Sequence, residues 1–127
     1  MANLNFKGKG QINMNSLFGN EIYSIASLPD VRNIIETGTW NGQGSTVCLM
    51  NGIINKENSK LFSVEACSSQ FEKAKNFWST KNTNNNLYYT GSTLKEQSLF
   101  FTLVISSKNV ELFLCIINGQ PGVVHHS

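Results

Sequence analysis

A chain of 127 residues, 40% apolar and 14% charged, is long enough for one domain with a real core, which excludes a disordered chain. Its net charge of +2 is too weak to call for an anionic partner. Lys73, Lys75 and Lys81 read as one solvated helix flank, so no nucleic-acid partner is indicated.

Cys48, Cys67 and Cys115 lie in apolar contexts without CxxC spacing. They fit neither a disulfide scaffold nor a zinc site, and a reducing compartment with no bound metal is expected. The first ten residues lack the apolar core of a signal peptide, and no apolar run approaches the ~20 residues that span a bilayer. A cytoplasmic, soluble protein without a membrane partner is the expectation.

Residues 1–15 are polar and glycine-containing and read as a loose leader. Over 16–28 the apolar residues Leu17, Ile22, Ile25 and Ala26 predict a short helix ending near Pro29. The run VRNIIET at 31–37, bounded by Pro29-Asp30 and by glycines, predicts a buried strand. A glycine-rich loop over 38–44 follows, and Ser45 or Thr46 stands where it can cap a helix running to about Ile54. KLFSVE at 60–65 predicts a second strand. Residues 68–81 carry a capping box at Ser69 and Glu72 and one apolar face of Phe71, Ala74 and Trp78, which predicts a helix.

A turn is expected at 84–86, a third strand at 87–90, and a poorly patterned helix at 93–99. VELFLCII at 110–117 is an almost unbroken apolar run, as for a strand buried on both faces. Residues 118–122 read as loop. The alternation predicts an α/β fold with a mainly parallel sheet, right-handed crossovers and helices on both faces. One unit over 16–118 is expected, with a tail at 119–127 in which the adjacent His125 and His126 carry no role.

Chemistry is concentrated in ETGTWNGQGST at 36–46. The stretch follows a strand and opens a helix, where doubly wound sheets bind nucleotides. Glycines admit a sharp turn and close approach of a ligand, and free amides at a helix start favour a carboxylate or phosphate. The same glycines also serve a tight turn with no ligand. Glu36 ends the strand two positions before Gly38; a carboxylate there suits an ammonium group better than a pyrophosphate, or else it caps its own loop amides. Glu65 ends the next strand and suits a ribose diol, or else is a solvated strand-end carboxylate. Trp40 reads equally as a liner of the entrance and as packing over the loop.

The run at 36–46 resembles motif I of the class I S-adenosylmethionine-dependent methyltransferases: an acid, any residue, Gly, two or three residues, Gly. FSVEACSSQFEKAKNFW at 62–78 resembles their motif II, and the likeness covers roughly 31–93. The resemblance implies a Rossmann-like three-layer sandwich and S-adenosylmethionine as cofactor. Its methyl group would pass to an acceptor in a small molecule or sugar. It implies that Gly38, Thr39, Gly42 and Gly44 shape the loop, with Trp40 and Asn41, around the methionine part of the cofactor. It further implies that Glu36 holds the ammonium, directly or through water, that Glu65 takes the ribose hydroxyls, and that Ala66 lies against the adenine. Gly91 and Ser92 stand where the family often contacts the adenine amine, commonly with an Asp. No catalytic residue is named by it.

The family's sheet runs 3-2-1-4-5-7-6, whereas about four strands, in the order 3-2-1-4, are expected here. Its fourth strand usually ends in Asp-Gly, where this chain has Asn118-Gly119. The chain therefore reads as a truncated enzyme whose fourth strand becomes an edge open to self-association. The alternative is a non-catalytic remnant or binding module. A nicotinamide-dependent oxidoreductase would want GxGxxG, but after Gly42 and Gly44 the third glycine is replaced by Val47.

Overall fold

Helix and strand alternate between residues 17 and 90, because apolar residues recur at helical spacing in some segments and run together in others. The computed structural model describes residues 6–84, 87–90, 110–117 and 120–125. The helix expected over 93–99 lies outside them, as do Gly91, Ser92, Asn118, Gly119 and His126.

Helix α1 (Leu17–Ala26) opens on Ser16, whose hydroxyl accepts the Gly19 amide at 3.0 Å, and buries Ile22 and Ala26. Strand β1 (Asn33–Thr37) buries Ile34, Ile35 and Glu36 in succession, as a central strand does. Helix α2 (Ser45–Ile53), strand β2 (Lys60–Val64) and helix α3 (Ser68–Ser79) follow. Strands β3 (Leu87–Thr90), β4 (Leu112–Ile117) and β5 (Gln120–His125) complete the described elements.

The sheet has five strands in the order β3-β2-β1-β4-β5. The first four are parallel, with Ile35 opposite Phe62 on one side and Phe113 on the other. The chain passes from β1 through α2 to β2 and through α3 to β3, each time between neighbouring parallel strands, and the right-handed rule for such crossovers puts both helices on one face. Order then reverses: β4 lies on the far side of β1. That reversal is a topological switch point at the carboxyl ends of β1 and β4.

The expected order 3-2-1-4 is present, but β4 is not the edge. Residues 120–125, expected as loop and tail, pair antiparallel with β4, from Ile117 opposite Gln120 to Leu112 opposite His125. The backbone groups along the open side of β4 need partners, and a returning strand supplies them. The sequence between the two strands is Asn118-Gly119, the pair favoured in two-residue hairpin connections.

One cluster forms the core: Ile22 and Ala26 of α1, Val47 to Met50 and Ile53 of α2, Ile34, Leu61, Trp78, Leu112 and Leu114 among others. Each fully buried aliphatic side chain contributes roughly 1.5–3 kcal/mol. Residues 6–15 are not loose. Phe6 packs edge-on against Phe77 at 5.4 Å and beside Trp78 at 5.6 Å, and the Lys9 amide donates to the Gln43 carbonyl at 2.7 Å. At the opposite end of the sheet the Lys56 ammonium donates to the carbonyls of Ala26, Leu28 and Val31, fixing the turn from α1 into β1. A shallow cleft of about 440 Å3 lies there, lined by Tyr23, Arg32, Asn51 and Lys56 among others.

Helices α1 and α2 meet closely at Gly52, where a Cβ would stand 2.6 Å from the Ala26 Cβ. Overpacking at such a contact costs about 1–3 kcal/mol. Gly52→Val therefore lowers the unfolding free energy by that amount in urea titration, with the secondary structure retained.

Candidate functional site

The loop over 38–44 leaves β1 at the switch point and is shaped by three left-handed residues: Gly38 (φ 82°), Trp40 (φ 58°) and Gly42 (φ 81°). The Gly38 amide continues the ladder to the Val64 carbonyl at 2.8 Å, and the Gly42 amide closes a turn on the Thr39 carbonyl at 3.0 Å. Asn41 is local: its Oδ1 accepts the Gln43 amide at 3.1 Å. Gly44 is the N-cap of α2 and supplies no side-chain cap.

The two acids grip this loop from different sides. Glu36 is fully buried beneath it. Its Oε1 accepts from the hydroxyls of Thr46 at 2.6 Å and Ser63 at 2.7 Å, and its Oε2 from Ser45. Thr46 donates to Glu36, so the 2.5 Å contact between the Thr39 and Thr46 hydroxyls has Thr39 as donor. Burial pushes the Glu36 carboxyl above its ordinary range, against the opposing hydrogen bonds from Ser45, Thr46, Ser63 and Thr39. Ser45 and Thr46 thus do not cap α2 as expected; their hydroxyls turn inward to satisfy a carboxyl that would otherwise be buried alone.

Glu65 follows β2 and is 7% exposed. Its Oε1 accepts the Trp40 amide at 2.8 Å and its Oε2 the Cys67 amide at 2.9 Å. One carboxylate therefore holds the loop tip and the entry to α3 together. This replaces the expected capping box: the N-cap of α3 is Cys67, two residues before Ser69, and Ser69 approaches the Cys67 sulfur at 3.3 Å instead. The thiol of exposed Cys67 is pulled below its usual pKa by the Ser69 hydroxyl and the backbone amide of Gln70.

The expected picture of two acids facing one crevice is therefore corrected for Glu36. Glu65, 7% exposed, reaches the Trp40 and Cys67 amides, while Glu36 lies under a layer of hydroxyls with no surface for direct contact. Thr39 is 2% exposed and also belongs to that inner layer. Ala66 is exposed beside Glu65, and Trp40 is 60% exposed at the loop tip, so it is not packing over the loop. Gly91 and Ser92 lie outside the described residues.

Trp78 is a site residue that sequence reading assigned only to the apolar face of α3. Its indole N–H donates to the Gly42 carbonyl at 2.7 Å, and a Cβ on Gly42 would stand 2.9 Å from the ring. Glycine at 42 thus serves both the left-handed turn and the tryptophan behind it. Gly42→Ala loses about 1–2 kcal/mol from the backbone alone, and more from the displaced indole, in chemical denaturation followed by tryptophan fluorescence.

No protein-family model matches the sequence, and no curated protein matches it. Solved structures do. An O-methyltransferase from Bacillus cereus, in complex with SAH, superposes with a TM-score of 0.61 and 14% identity over 84% of this chain and 58% of that one. The O-methyltransferase TomG from Streptomyces achromogenes, involved in tomaymycin synthesis and in complex with SAM, gives 0.56 and 14% over 77% and 54%. This chain spans little more than half the length of each. The fold is the Rossmann-like α/β fold of these methyltransferase structures.

Proposed function

We propose that this chain carries the cofactor-binding part of an S-adenosylmethionine-dependent methyltransferase acting on a small molecule or sugar. The observation that carries the reading is the loop over 38–44. Its left-handed residues leave β1 at the switch point and open on a helix without a side-chain cap. The likeness to structures holding SAH and SAM supports it.

The residues present fit such a cofactor on its ribose side. Each Glu65 oxygen receives one backbone amide and keeps a further acceptor position, as a ribose diol requires. Ala66, small and exposed next to it, leaves room for a purine face. The uncapped amides that begin α2 suit the methionine carboxylate. Trp40, 60% exposed at the loop tip, is free to line the entrance for an acceptor. When bound, S-adenosylmethionine supplies an electrophilic methyl group on its sulfonium. What this chain contributes is orientation, the main source of acceleration in such a displacement. Glu65, Trp78 and Val64 hold the amides and carbonyls of the loop from outside it.

Calorimetric titration with S-adenosylhomocysteine and with NADH tests the reading. S-Adenosylhomocysteine binds, and Glu65→Gln weakens it about tenfold or more, near 1.4 kcal/mol. Binding of NADH alone overturns the assignment. Binding without turnover on any acceptor favours a binding module over an enzyme. Because Cys67 is exposed beside Glu65, bound S-adenosylhomocysteine also slows its alkylation by iodoacetamide, read by mass spectrometry.

A further inference from the structure

A carboxyl group with no exposed surface cannot meet a ligand that stays in the crevice, yet Glu36 lies directly beneath the loop. Its partners come from separate elements: Ser45 and Thr46 form the first turn of α2, and Ser63 belongs to β2. Thr39, the second residue of the loop, joins through Thr46. One side chain of β1 thereby ties the start of the loop, the start of α2 and the neighbouring strand into a single buried polar cluster.

We propose that Glu36 is a positioning residue for the glycine loop, acting through the hydroxyls of Ser45, Thr46 and Ser63, and is not the partner of a cofactor ammonium group. The inference rests on the reading of the loop as a cofactor site. Hydroxyls both donate and accept, so the cluster closes around either protonation state of the carboxyl and around an amide in its place. None of the hydrogen-bond partners of Glu36 is a cation. Facing it from α2 is the Cys48 thiol, itself pushed up to about 12 by burial and then by Glu36. Across the sheet it is opposite Ser63 of β2 and Leu114 of β4, neither of them ionisable. Burial accordingly holds the acid above its ordinary range. A carboxyl raised in the folded state contributes stability that is complete at low pH and is lost as pH rises through its folded value.

The test compares wild type, Glu36→Gln and Glu36→Leu by S-adenosylhomocysteine titration and by thermal melts between about pH 5 and about pH 9. The glutamine variant restores the cluster and binds within about threefold of wild type, whereas the leucine variant binds at least about tenfold more weakly or fails to fold. The melting temperature of wild type falls with rising pH, and that of the glutamine variant falls less. A glutamine variant with an unchanged melting temperature and an affinity lowered about tenfold or more overturns the proposal, because the charge itself was then holding the ligand. If wild type binds no S-adenosylhomocysteine, the cofactor reading fails, and the melts alone decide. A Glu36→Leu variant that melts at the same temperature as wild type then overturns the positioning role.

Discussion

A left-handed residue with a side chain costs about 1–2 kcal/mol, and the loop over 38–44 places Trp40 in that region at its tip. The conformation persists because the Trp40 amide points at the Glu65 carboxylate, 2.8 Å away. A hydrogen bond to a charged acceptor contributes about 1.5–3 kcal/mol, enough to offset the strain. The shape of the loop, the exposure of Trp40 and the start of α3 all depend on that one carboxylate, because its second oxygen takes the Cys67 amide. Glu65 is thus a structural member of the loop before it is a ligand for anything.

This places the proposed binding chemistry and the local architecture on the same atoms. A diol approaching Glu65 meets oxygens already oriented by two backbone amides, so little freedom remains to be lost on binding. The loop is held from within as well, by the hydroxyl cluster on Glu36, and from behind by Trp78 on Gly42. Residues 6–15 add a further layer, since Phe6 covers Trp78 and Lys9 bonds to Gln43. Together these contacts brace the loop at the carboxyl ends of the parallel strands.

Much of this was legible in the residues. The β-branched run at 31–37, the apolar run at 110–117 and the aromatic face of 68–81 mark three elements, and the family resemblance implies the strand order up to β4. The loop and the acid after β2 were legible too. Periodicity does not reveal which way a hydroxyl turns: Ser45 and Thr46 have the composition of helix caps but serve a buried carboxyl contributed by a different element. The capping box at Ser69 and Glu72 failed for the same reason, since Glu65 organises the α3 start from outside the helix. The fifth strand has a local signal in Asn118-Gly119 followed by Val123 and Val124, but the first pair also resembles the family's Asp-Gly strand end and the valines fall in the expected tail. Phe6 and Trp78 were hidden because their contacts join segments far apart in sequence.

The central claim is that a nucleoside-containing cofactor sits on the loop between β1 and α2 and against Glu65. Hydrogen exchange read by mass spectrometry, with and without saturating S-adenosylhomocysteine, tests it most directly. The account predicts slowed exchange at the amides of 38–47 and 65–67, with the cleft at Tyr23, Arg32 and Lys56 unchanged. Protection at that cleft, or none along the loop under conditions where the ligand binds, would contradict it.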